Sequence, residues 1–183
     1  MFFVAVAAGV PTAHALPVLD ATPSRPHVRV HGDWANVVPC AIPRSGDPGS
    51  EVPPRTVSFG CTGSTAYEGD WVGHAVYTAT ATADFERGVA YGTAEQWFYG
   101  TYATDGTSGS MLWRSVFTLD LATGAFHDTS SIVAGTCGFE GSKGKIEFEG
   151  LDHAGLVGGM YAGSWTRSPT PAQELCVPGA PPE

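Results

Sequence analysis

A chain of 183 residues with a net charge of −9 is long enough for one domain with a real core, and it lacks the basic footprint that DNA or RNA binding requires. Only 15 % of its residues are charged, while 24 glycines and 14 prolines favour many short strands joined by turns over helices. Lysine is confined to Lys143 and Lys145 and asparagine to Asn36, a bias expected of high-GC coding, as in many bacteria. No run of like charge is long enough to form an acidic tail, so the negative charge reads as a solvated surface.

The chain opens on an apolar run, Met1 to Val10, followed by Pro11-Thr12-Ala13-His14-Ala15. Ala13-His14-Ala15 has the small-x-small form of a signal-peptidase site, and the run is too short to span a bilayer. Residues 1–15 are therefore expected to be an export signal, and the mature protein secreted. Residues 16–55 are proline-rich and read as an extended arm, in which His27-Val28-Arg29-Val30-His31 alternates well enough for one edge strand. His27, His31 and Asp33 share a face there, but the i, i+4 spacing suits a helical metal site better than a strand, so no metal is expected.

From residue 56 to 168 the pattern is almost wholly period two. Strand candidates are Thr56–Cys61, Trp71–Ala83, Gly92–Thr104, Ser110–Asp120, Ala125–Ala134, Lys145–Leu151 and Gly158–Arg167. Turn chemistry separates several of them, at Thr104-Asp105-Gly106, Ala122-Thr123-Gly124 and His153-Ala154-Gly155. Glycines at 135, 138, 141 and 144 around Phe139 read as a tightly folded connection feeding a strand. No segment carries a helical apolar stripe. The fold class is all-β: a single antiparallel closed barrel of about eight strands, since closure removes exposed edges and leaves room inside for side chains or one small ligand. Residues 169–183 form a second proline-rich tail.

Alternation shows which residues share a face without showing which face turns inward. Glu95 shares one with Trp97 and Tyr99. A carboxyl walled by aromatics would have a raised pKa and could act as acid or base. Arg114 alternates with Leu112 and Val116 and could stabilise an enolate or carboxylate; the competing reading of Glu95 and Arg114 is a cross-strand salt bridge. Tyr77 and Tyr161 could donate to a carbonyl, and Trp113 and Phe117 share the other face of their strand. Glu95, Arg114 and Tyr77 are the candidate catalytic residues, with Trp97, Tyr99, Trp113, Phe117 and Tyr161 as candidate ligand contacts. His127 and Asp128 follow a turn and read as exposed, and Lys145, Glu147 and Glu149 as a solvated face.

The four cysteines, Cys40, Cys61, Cys137 and Cys176, suit disulfides in an exported protein, and no Cys-x-x-Cys points to zinc or redox catalysis. Three pairings are possible. Position along the chain favours Cys61–Cys137 within the barrel and Cys40–Cys176 between its flanks.

The segment from Val57 to Arg167 resembles the allene oxide cyclase-like barrel superfamily, which includes the plant dirigent proteins. The residues that carry the likeness are the turn Ala134-Gly135-Thr136-Cys137-Gly138-Phe139-Glu140-Gly141-Ser142-Lys143-Gly144 with the following Ile146-Glu147-Phe148, supported by Thr118-Leu119-Asp120 and Gly159-Met160-Tyr161-Ala162-Gly163-Ser164-Trp165. Cys137 stands where a glycine would be usual. The resemblance implies an eight-stranded barrel with a hydrophobic cavity, frequent assembly into homodimers or homotrimers, and cofactor-free cyclisation or guided coupling of a small molecule. The expected function is therefore a cyclase or isomerase that shapes a hydrophobic small molecule without a cofactor. The alternatives are a barrel that only binds such a ligand, or a structural module whose interior is filled by its own side chains. Convergent desolvated polar groups in the cavity would favour the enzyme, a cavity with few of them the carrier, and no cavity the structural module.

Overall fold

The computed structural model describes residues 27–40, 55–153 and 156–166. The expected export signal, the C-terminal tail, Cys176 and most of the proline-rich arm lie outside the described residues. Eight strands follow in chain order: β1 (His27–Val38), β2 (Thr56–Gly69), β3 (Trp71–Asp84), β4 (Val89–Tyr102), β5 (Thr107–Asp120), β6 (Ala125–Cys137), β7 (Lys143–His153) and β8 (Leu156–Thr166). Each pairs antiparallel with its sequence neighbour, and β8 returns to pair with β1, closing the barrel. No helix among the described residues is long and apolar enough to cross a membrane.

Two differences from the sequence reading are large, while the other strand ends shift by at most about three residues. The segment read as an edge strand within the arm is β1, hydrogen-bonded on both sides, from Gly32↔Gly69 on β2 to Arg29↔Ser164 on β8. β2 runs on past Cys61 to Gly69, because Thr62-Gly63-Ser64-Thr65-Ala66 are small residues whose alternation carries little hydropathy contrast.

The turns form as their residues dictate. Gly106 and Gly124 have φ of 75° and 76°, and Asp120 accepts hydrogen bonds from the Ala122 and Thr123 backbone N–H groups at 2.9 and 2.7 Å. Those bonds hold the Asp120 carboxyl below its ordinary pKa. Cys137 adopts φ of 58°, the one positive value at a non-glycine among the described residues, at the position where the resemblance leads one to expect glycine. The chain then turns back and inserts Phe139. Gly135 permits this, because a Cβ there would collide with the Phe139 carbonyl.

That insertion helps to fill one half of the barrel. Trp71, Trp113, Trp165, Tyr161, Phe98, Phe139, Met111 and Ile146 are fully buried there. Trp71 stacks on Tyr161 with ring centroids 5.6 Å apart, and its backbone N–H donates to the Tyr161 hydroxyl at 2.8 Å. Phe98 stacks on Trp113 at 5.4 Å. The result is a solid aromatic plug, in which the buried indole N–H groups of Trp71 and Trp113 have no hydrogen-bond acceptor among the described residues. Tyr67 lies at its boundary, in edge contact with Phe98, Trp113, Phe148 and Tyr161. Beyond Tyr67 the interior is hollow.

Candidate functional site

Above the plug lies a cavity of about 90 Å³, lined by residues from all eight strands. Its walls are aromatic and aliphatic: Trp34 from β1, Phe59 from β2, Phe117 and Leu119 from β5, Phe126 from β6, Phe148 from β7 and Val157 from β8. Into this wall project the polar groups of Asn36, Thr65, Tyr67, Tyr77, Gln96, Ser115 and Asp128. Tyr67 donates to Gln96 Oε1 at 3.2 Å, and Thr65 donates to Asn36 Oδ1 at 2.8 Å. Gln96 therefore keeps its carboxamide nitrogen as a donor.

Asp128 is the chemical centre. It is 6 % exposed, and its register partners are Phe117 on β5 and Phe148 on β7. Burial pushes its carboxyl up from an ordinary 3.8 to about 6, against the opposing pull of hydrogen bonds from Ser130 and Ser115 and of nearby His127. Ser130 donates to Asp128 Oδ1 at 3.0 Å. Tyr67 is pushed well above the usual tyrosine range, first by burial and then by the Asp128 charge. The arrangement supplies one carboxyl that changes protonation near neutrality, beside hydroxyl and amide groups, in a largely apolar cavity.

The reading of Asp128 as exposed is thus corrected. The residue follows the turn closely, but strand β6 begins at Ala125, so the alternation turns residues 126, 128 and 130 inward. Glu95, Arg114, Trp97 and Tyr99 are corrected in the opposite sense. The inner face of β4 carries Gln96, Phe98 and Tyr102, and Glu95, Trp97 and Tyr99 lie on the outside. Arg114 is on the outer face of β5 and pairs with Glu95 through Nε and Oε2 at 3.0 Å, so the cross-strand salt bridge is the reading that holds. Both side chains are about half exposed or more, 48 % for Glu95 and 66 % for Arg114. Glu95→Gln should therefore cost less than about 0.5 kcal/mol in urea denaturation; a larger loss would mean that the outer face is structurally engaged.

Trp113 and Tyr161 point inward but belong to the plug. Burial raises the Tyr161 pKa to about 12. Tyr77 and Phe117 do line the cavity. Tyr77 lies over Gly63, its register partner on β2, and shares a hydrogen bond with the Cys40 backbone. A Cβ at residue 63 would strike both the Tyr77 ring and the Val38 carbonyl. Gly63→Ala should accordingly displace Tyr77 and cost about 1–3 kcal/mol, read by urea denaturation; a neutral result would show that Tyr77 moves freely.

Cys40 bonds to Cys61, with Cα atoms 5.6 Å apart, which overturns both expected pairings. The cause is β1. Because that strand belongs to the wall, its end delivers Cys40 to the inner face of β2 beside Cys61, and Cys40 becomes part of the cavity lining. Cys137 is disulfide-bonded as well, so no described cysteine is free. His31, one of the residues weighed for a metal, faces outward and contacts Asp70 at 2.9 Å.

No protein-family model matches the chain, and no curated protein matches it. The fold is similar to a solved structure, a protein of unknown function from the DUF3224 family of Shewanella oneidensis MR-1. The TM-score is 0.55 at 15 % sequence identity, over 79 % of this chain and 100 % of that one. At that identity the likeness concerns the fold alone.

Proposed function

We propose that the barrel is a cofactor-free isomerase or cyclase acting on a small, largely apolar molecule, with Asp128 transferring the proton. The observation that carries this reading is a carboxyl buried among Phe117, Phe126 and Phe148 whose pKa is pushed up to about 6. A proton-transfer group works best when its pKa lies near the working pH. Asp128 would act as base when ionised, Tyr67 and Gln96 would hydrogen-bond a carbonyl or hydroxyl, and the aromatic wall would fix the reactive conformer. The resemblance to the allene oxide cyclase-like superfamily supports the same class of chemistry. Small volume supports a second reading, a barrel that binds its ligand without turning it over: about 90 Å³ is well below the roughly 300–1,000 Å³ of ordinary small-molecule pockets.

The Cys40–Cys61 bridge supports an oxidising, extracellular location. On the outer face, Val76, Trp97 and Leu112 are register partners in one row across β3, β4 and β5, which supports a homodimer or homotrimer covering that row.

The test is solvent exchange at an acidic C–H. Small ketones such as acetone, incubated with the protein in D₂O, should lose their α-proton NMR signal faster than in buffer. The rate should rise as pH climbs through about 6, where the Asp128 carboxylate forms, and should vanish in Asp128→Asn. Exchange no faster than in buffer, or unchanged in the variant, removes the catalytic reading and leaves the binding one.

A further inference from the structure

Among the described residues, the Asp128 carboxylate has neutral hydrogen-bond donors, the Ser130 and Ser115 hydroxyls, and no cation inside the cavity. Among the described residues that line the cavity there is no Lys, Arg or His, and His127, adjacent in sequence, is exposed on the outer face. An ionised carboxylate buried without a positive partner is costly. Two things relieve that cost, a proton or a cation brought by the ligand.

The surrounding rings favour the second. Phe117 and Phe148 flank Asp128 on the neighbouring strands, and Phe126 precedes it on the same inner face. Phe126 lies 5.9 Å from Phe117 and 5.3 Å from Trp34, and Trp34 lies 6.0 Å from Phe148, so the four rings form a continuous arc. The Trp34 N–H is engaged with the Met160 carbonyl at 3.1 Å, so the indole offers the cavity its ring and not its donor. Ring faces attract a cation within about 6 Å, most strongly where water is excluded. A cavity of about 90 Å³ is smaller than the roughly 150 Å³ that accommodates benzene, which limits the buried group to a compact headgroup. The net charge of −9 draws cations toward the protein.

We infer that the cavity recognises a small alkylammonium group, its nitrogen seated on the Asp128 carboxylate and enclosed by Trp34, Phe117, Phe126 and Phe148. The inference rests on the reading of this cavity as a small-molecule site and holds for turnover and carriage alike.

Tetramethylammonium and tert-butanol, a neutral molecule with the same number of heavy atoms, separate the two questions. Their affinities are measured by calorimetry and saturation-transfer NMR on the full chain, well above and well below the Asp128 pKa of about 6. Tyr67 on β2 and Tyr77 on β3 are the other titratable groups facing Asp128, with Tyr161 of β8 deeper in the plug. Burial raises all three above the ordinary tyrosine range, and the His127 charge acts on Asp128 from the outer face, so a change between these conditions that persists in His127→Gln belongs to Asp128. At the higher pH the cation should bind at least about tenfold more tightly than the alcohol, a preference within reach of a desolvated carboxylate and ring faces. That preference should collapse at the lower pH and in Asp128→Asn. The pH arm uses the wild-type chain and His127→Gln, and stands even if Asp128→Asn misfolds. If the alcohol binds as well as the cation, the ammonium inference is wrong and the cavity remains a ligand site. If neither binds, both readings fall.

Discussion

Asp128→Asn is expected to make the protein more stable above pH 6 while removing the proposed proton transfer. Folding raises the Asp128 pKa from 3.8 to about 6, so the folded state binds this proton more tightly than the unfolded chain. Stability from this group is therefore full below about pH 4 and is lost as pH climbs through about 6. At roughly 1.4 kcal/mol per pKa unit the loss amounts to about 3 kcal/mol. Asparagine does not ionise and still accepts the Ser130 hydroxyl. After allowance for the weaker hydrogen bonds it receives, the variant should gain about 1–3 kcal/mol near pH 8 and almost nothing near pH 4. Urea denaturation at the two pH values measures this directly. A variant less stable than wild type at pH 8 would mean that the carboxylate has a cationic partner in the resting protein, and the account of the cavity would fail. Such a cost to the fold is what the proposed function would ask of Asp128.

Trp71→Ala is expected to cost about 3–5 kcal/mol, the range for emptying a large buried aromatic site. Trp71 is fully buried and touches Phe98, Trp113, Tyr161 and Trp165 at centroid distances of 5.2 to 6.3 Å. Tyr161, pressed against Gly32 and stacked on Trp71, would lose its stacking partner along with the space it fills. For a domain whose whole stability is of order 5–15 kcal/mol, this brings the variant near unfolding at room temperature. The comparison is Trp97→Ala on the outer face of β4, measured at protein concentrations low enough to keep the chain monomeric, where a change below about 1 kcal/mol is expected. Equal losses at the two tryptophans would contradict the assignment of inner and outer faces.

The barrel was legible because its signal is repeated: period-two strands, hairpin turns with glycine where φ must be positive, and no helical stripe. The direction of the faces was not. On β3 the inward residues are Gly73, Ala75, Ala79, Ala81 and Ala83 along with Trp71 and Tyr77, while Val72, Val76, Thr78 and Thr80 face out. Hydropathy would choose the valines for the interior. The alanines occupy it because large rings from the other strands need the space they leave, and that complementarity exists only once the strands are assembled. The same ambiguity sent Glu95 and Trp97 to the cavity and Asp128 to the surface. One signal was available: Phe126, Asp128, Ser130 and Ile132 share a face, and an acid alternating with Phe and Ile in a strand is a candidate for burial. The disulfide was misread for a related reason, because the prolines around β1 hid that it is a wall strand.

The way the barrel closes governs when the chain can acquire its native state. Seven of the eight ladders join neighbours in sequence, and each of these hairpins can zip as soon as its two strands exist. The eighth joins His27 to Thr166, so the first strand has to wait for the last. Until then both carry open hydrogen-bonding edges of the kind that recruit other chains, and the long-range closure makes folding slow relative to a helical domain of the same size. Trp165 arrives on that last strand and docks against Trp71 and Phe139. Tryptophan burial should therefore mark the final step of folding, and emission recorded during refolding should report closure itself.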